Sequence, residues 1–78
     1  MAFFDIHVVN EEQEGLSGRR VVLSFTSILR GMTAEEYTDD DGHAEFDGYE
    51  EGEVEVFVDG TSCGTYKYED GGGITITV

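Results

Sequence analysis

The sequence predicts an all-β fold, a small antiparallel β-sandwich of six or seven short strands. Apolar residues alternate with polar ones in several separate segments, among them Phe4/Ile6/Val8, Val21/Leu23/Phe25 and Val54/Val56/Val58. Turn-forming Asp and Gly clusters recur about every ten residues, the spacing of sandwich strands. No stretch sustains the three-and-four spacing of a long helix.

The elements follow in order. Phe4, Ile6 and Val8 alternate with Asp5 and His7, which gives a half-buried first strand. Residues 10–18 form a polar, acidic connection with Gly15 and Gly18. The second strand covers residues 19–27, with Val21, Leu23 and Phe25 on one face and Arg20, Val22 and Ser24 on the other. Val22 is apolar on that outer face, so the face is expected to be partly covered. Residues 28–34 break the period and read as a loop. Two readings compete after it: a helical turn at residues 33–37, where Thr33 and Glu36 resemble a capping box, and a short strand ending at Thr38, which we prefer.

Residues 38–46, Thr-Asp-Asp-Asp-Gly-His-Ala-Glu-Phe, carry the most local information. Asp bonds back to nearby backbone amides and Gly supplies positive φ, so the chain reverses sharply here. A strand follows at residues 43–47, with Ala44 and Phe46 inward, and then a loop at residues 48–52. Val54, Val56 and Val58 alternate with Glu53, Glu55 and Phe57 in the clearest strand of the chain. Asp59-Gly60 is a two-residue hairpin signal, because a type I′ turn needs positive φ at both positions. That turn sets Val58 opposite Thr61, Phe57 opposite Ser62 and Val56 opposite Cys63. Cys63 then points to the core, while Phe57, Tyr66 and Tyr68 gather on the outer face beside Glu53 and Glu55. Residues 70–73 turn the chain again, and Ile74, Ile76 and Val78 face inward on the last strand.

The 78 residues are expected to make one domain, residues 1–78. A chain this short buries only about 60–65% of its unfolded surface, so its stability margin is narrow. Cys63 is alone, which rules out an internal disulfide, and neither Cys nor His stands at zinc-site spacing.

The charge balance is lopsided: 18 acidic residues against 4 basic, a formal net charge of −14. Between Gly31 and Gly60 there is no Lys or Arg at all. Such a surface repels phosphates and anionic lipid, which argues against direct nucleic-acid or membrane binding. No apolar run approaches the ~20 residues of a membrane span. The N-terminus lacks the basic and apolar regions of a signal peptide, and the expected state is a soluble monomer, cytoplasmic by default.

The candidate chemistry is sparse. Asp39 and Asp41, with Asp40 and Gly42, are the candidates for calcium, since clustered carboxylates suit a hard cation. The calcium-loop motif is missing, however, and a turn with solvated carboxylates is the competing reading, the one we adopt; no metal and no cofactor are expected. Glu35/Glu36 and Glu50/Glu51 are carboxylate pairs, which matter only in a cleft that perturbs their pKa values. His7 and His43 occupy outward strand positions, where exposed or hydrogen-bonded histidine is expected. No nucleophile, base and orienting group come together, so no enzyme is expected. Phe57, Tyr66 and Tyr68 are the candidate partner-binding residues, weighed against ordinary cross-strand packing.

The order of motifs carries a resemblance. Glu14-Gly15-Leu16-Ser17-Gly18 leads into Arg20-Val21-Val22-Leu23; then come Thr38-Asp39-Asp40-Asp41-Gly42-His43-Ala44-Glu45-Phe46, Gly52-Glu53-Val54-Glu55-Val56 and Ile74-Thr75-Ile76-Thr77-Val78. This resembles the carboxypeptidase-regulatory-like and collagen-adhesin B-type domains, transthyretin-like (prealbumin-like) Greek-key sandwiches marked by a T-D-x-x-G-x-x-x-F turn and a G-x-Y-x-V strand. Val54 stands where the family has its aromatic residue. The adhesin branch often carries a Lys–Asn isopeptide bond, but Lys67 and Asn10 do not sit at its motif positions and no such bond is expected. The resemblance implies a non-catalytic accessory or binding module.

Two functions from different classes follow. The first is a β-sandwich accessory or protein-interaction module adapted to high salt, with a partner whose identity the sequence does not give. The alternative is an acidic nucleic-acid mimic that occupies a basic groove of a partner protein. A small hydrolase or a calcium-dependent polysaccharide binder ranks below both.

Overall fold

Alternation becomes strand wherever the sequence carries it. The computed structural model describes residues 2–25, 32–49 and 51–78. Among them are seven strands and no helix: β1 (Ala2–Val9), β2 (Arg20–Phe25), β3 (Met32–Tyr37), β4 (His43–Tyr49), β5 (Gly52–Val58), β6 (Thr61–Tyr68) and β7 (Gly72–Thr77). They form a three-stranded sheet, β4-β1-β7, and a four-stranded sheet, β3-β2-β5-β6. The two inner faces enclose one apolar core, and the fold is a small all-β sandwich.

β1 contributes Phe4, Ile6 and Val8 to that core, β2 contributes Val21, Leu23 and Phe25, and β5 contributes Val54, Val56 and Val58. Their alternating polar neighbours stay half-buried or exposed, as period-two chemistry requires. Four of the strand pairings are antiparallel. The fifth, β1 with β7, is parallel, with Ile6 opposite Ile74 and Val8 opposite Ile76. These strands lie at opposite ends of the chain, so no tight hairpin imposes an antiparallel direction on them.

β3 settles the competition after residue 31. Residues 33–37 are extended and pair with β2, so the helical turn is not formed. The strand begins at Met32, which takes residues 32–34 out of the expected loop; the rest of that loop, and residues 26–27 of the expected second strand, lie outside the described residues. Ala34 faces the core while Glu35 points away from it and meets Arg20 at 3.1 Å.

The β5–β6 hairpin departs from expectation in one decisive place. Its turn is type I′, with φ of 51° at Asp59 and 85° at Gly60. Val58 faces Thr61 and Phe57 faces Ser62, as the turn dictates. The next pair is Glu55 with Thr65, so Val56 lies opposite both Cys63 and Gly64. This is a β-bulge, and Gly64 absorbs it at φ 107°, a conformation costly for any side chain with a Cβ. The extra residue reverses the strand's phase. Tyr66 therefore pairs with Val54 and Tyr68 with Gly52, and both rings turn inward.

Tyr68 is consequently fully buried, not part of an outer patch. Its ring lies 5.1 Å from Phe4 and 5.6 Å from Phe25. Tyr49, expected in a loop, is the last residue of β4 and completes this aromatic cluster, 5.3 Å from Phe25. Val78, expected inward, is 48% exposed because β7 ends at Thr77.

Candidate functional site

The Asp-rich turn was the first candidate, and its geometry is that of a closed backbone cap. Asp39 Oδ1 accepts from the N–H of Asp41 at 2.9 Å and from the N–H of His43 at 3.0 Å. The Gly42 N–H donates to Asp39 O, and the Asp39 N–H to His43 O. The amides facing Asp39 stabilise its charged form and lower its pKa from the ordinary value. Gly42, at φ 88°, is pressed against β1: a Cβ there would stand 2.6 Å from Val8 O. Asp39 thus aims its carboxylate into the turn, while Asp41 offers its carbonyl oxygen to a histidine. The described residues hold no group of three or more side chains arranged to ligate a metal.

That histidine belongs to a constellation the sequence does not reveal. β1–β4 pairing sets His7 directly opposite His43, and the two rings stack at 4.0 Å with 4° between their planes. His7 Nε2 donates to Asp41 O at 3.0 Å. His43 Nδ1 lies 2.8 Å from Asp5 Oδ2. The bond to Asp5 favours the imidazolium and raises the pKa of His43, with lesser help from Asp39 and Asp41. Both histidines are hydrogen-bonded, as expected, but their partnership depends on a pairing between residues 36 apart in sequence, which no local signal encodes.

The expected aromatic patch of Phe57, Tyr66 and Tyr68 is not formed. Phe57 alone stays on the outer face, half-buried opposite Val22. The Tyr66 hydroxyl donates to Cys63 O at 2.8 Å across the bulge, and its ring packs on the core edge. Burial pushes the Tyr68 phenol pKa up. Cys63 packs against the core, as the turn register implied. Among the described residues of this sheet the exposed aromatic is Tyr37 of β3, at 59%, opposite Arg20 of β2.

The carboxylate pairs separate as well. Glu35 and Glu36 are consecutive strand residues and so point to opposite faces. Glu51 accepts from the Asp70 N–H at 2.8 Å, and Glu50 lies outside the described residues. Asn10 braces its own loop through the N–H groups of Glu12 and Glu14, far from any role with Lys67, whose ammonium lies 3.9 Å from Glu69.

Where the sheets part between β6 and β7, an open groove of about 490 Å³ remains. Val58, Cys63, Tyr66, Ile76 and Val78 supply its apolar wall, and Arg19 sits at its rim bonded to Asp59 at 3.0 Å. The bond to Arg19 depresses the Asp59 pKa. Of the groove's lining side chains, Arg19 and Asp59 are bonded to each other and the Tyr66 hydroxyl to Cys63 O. No described helix is long and apolar enough to cross a membrane.

No protein-family model matches the sequence, and no curated protein matches it either. Among solved structures, the chain is similar to the Bacillus anthracis TIE protein, with a TM-score of 0.72 and 16% sequence identity. The match covers 99% of this chain and 16% of that one, so the chain corresponds to a small part of the larger protein's length. At this identity the likeness is one of fold.

Proposed function

We propose that this chain is a non-enzymatic β-sandwich module that works through protein contact and is suited to concentrated salt. Its turn-and-strand pattern relates it to carboxypeptidase-regulatory-like and collagen-adhesin B-type domains. The observation that carries the reading is the uncompensated acidity of the surface around an apolar core. Acidic residues outnumber basic ones 18 to 4, and the described cations Arg19, Arg20 and Lys67 already face Asp59, Glu35 and Glu69. The conspicuous titratable groups serve the backbone or one another: Asp39 caps its turn and His43 holds Asp5.

The size of the salt effect follows from compactness. The folded chain has a radius of gyration of 11.5 Å, against about 27 Å for an unfolded chain of this length. Spreading the net charge over spheres of those dimensions makes folding less favourable by about 8 kcal/mol at 0.1 M salt and about 4 kcal/mol at 1 M. Screening therefore returns about 4 kcal/mol, or about 15–30 °C in melting temperature.

The test is a thermal melt from about 0.1 to 2 M KCl, where the Debye length shrinks from about 10 Å to below about 3 Å. A steep rise in melting temperature is expected. A flat profile would remove the salt-adapted reading. A protein fully stable at low salt that releases a basic partner as KCl rises would favour the nucleic-acid mimic instead.

A further inference from the structure

We propose that the free edge of β7 is a strand-addition site for an extended peptide segment of a partner protein, apolar at its centre and cationic at both ends. The inference rests on the interaction-module reading and names the surface and the chemistry of the partner.

The edge itself is the first observation. β7 is the outer strand of its sheet, bonded to β1 on one side, and no described strand pairs with its other side. Val78 N–H donates to Val9 O. The alternation of a parallel ladder then directs the N–H and C=O groups of Gly73, Thr75 and Thr77 away from β1. Exposed edges are normally guarded by charge, proline or a bulge. The other edges follow that rule: β3 carries Glu35 and Glu36, β4 carries Glu45 and Asp47, and β6 carries Lys67 and the bulge at Gly64. β7, Gly-Gly-Ile-Thr-Ile-Thr, has none of these, in a chain where 28% of residues are charged.

The groove between β6 and β7 is the second. A strand laid along β7 would set alternate side chains over Ile76, Cys63 and Tyr66, so backbone bonds supply affinity and the groove selects apolar residues. Charge fixes the ends. Glu69 and Asp70 precede β7, with Glu51 bonded to the Asp70 N–H. At the other end Val78 is bonded to Val9, which leads into the loop bearing Glu11, Glu12 and Glu14. Lys67 faces Glu69 at the first end and Arg19 faces Asp59 at the second, yet acidic side chains outnumber cations at both, so an uncharged strand runs between two net-acidic ends, complementary to a segment with Lys or Arg at each terminus. A second copy of this chain is disfavoured, because either direction of β7–β7 pairing sets acidic ends against acidic ends.

The probe is a short synthetic peptide with lysine at both ends and valine alternating with threonine between, titrated into the ¹⁵N-labelled chain in molar KCl and again at lower salt. Saturable shifts and slowed exchange at the amides of Gly73, Thr75 and Thr77 are expected, with affinity falling as salt rises. Thr75→Pro, which removes an outward N–H, is expected to weaken binding at least tenfold while the β1 amides keep their protection. A peptide with glutamate at both ends should bind at least tenfold more weakly. Unmoved β7 amides at millimolar peptide, equal binding of the acidic peptide, or concentration-dependent β7 shifts without peptide would each overturn the proposal. Shifts confined to Val22 and Phe57 would overturn the β7 site and leave the interaction-module reading standing, whereas a flat salt melt would remove salt adaptation without touching β7.

Discussion

Inserting one threonine between Thr65 and Tyr66 should unfold the protein, although Thr65 is exposed. The insertion would shift β6 by one residue against β5 beyond the bulge. Tyr66 and Tyr68 would then move to the outer face, and the inserted residue and Lys67 would be driven toward the core. Tyr68 is fully buried against Phe4, Phe25 and Tyr49. A buried aromatic ring removes about 200 Å² from water, and at about 25 cal/mol per Å² its loss costs about 5 kcal/mol before the lysine is considered. A small domain is stable by about 5–15 kcal/mol in total, so the insertion should leave little folded population. Gly64→Ala keeps the bulge but places a Cβ at φ 107°, and should cost about 1–3 kcal/mol. Urea unfolding followed by circular dichroism, in molar KCl throughout, compares the three proteins. An insertion variant with an unchanged midpoint would refute the phase-reversal argument.

Two further outcomes are expected. Thr38 is buried, and its hydroxyl accepts from the Arg19 N–H at 2.8 Å and donates to Leu16 O at 2.6 Å; Thr38→Val should lower the unfolding free energy by about 1–3 kcal/mol, and a variant as stable as the parent would contradict that role. The raised pKa of His43 means that the stability from its bond to Asp5 is fully present below the unfolded value near about 6.5 and is lost as pH rises through the folded value. Asp5→Asn should move the His43 titration, followed by its ring-proton shifts, back toward that ordinary value; an unmoved titration would show that Asp5 is not the cause.

Much of the fold is legible in the sequence because its signals are local. The alternation of Val54, Val56 and Val58 fixes which face of β5 is buried, and Asp59-Gly60 fixes its turn and the first pairs of β6. Asp39 was readable as a backbone cap for the same reason. What sequence reading missed depends on events beyond a few residues. The inward turn of Tyr66 and Tyr68 hangs on a single inserted residue, and the one available signal was a glycine, Gly64, within an otherwise regular strand. The His7–His43 stack and the parallel β1–β7 pair arise from strands brought together only by the closed sandwich. The outward placement of Phe57 was read correctly, yet the patch around it was lost with its two tyrosines.

Whether Tyr68 lies inside the sandwich can be read from one nuclear Overhauser spectrum of the folded protein in molar KCl. Ring centroids 5.1 Å from Phe4 and 5.6 Å from Phe25 should give cross-peaks from the Tyr68 ring protons to both phenylalanine rings. Cross-peaks from Tyr68 to Phe57 instead, with none to Phe4 or Phe25, would contradict the bulge, the buried aromatic cluster and the β6 surface on which the groove depends.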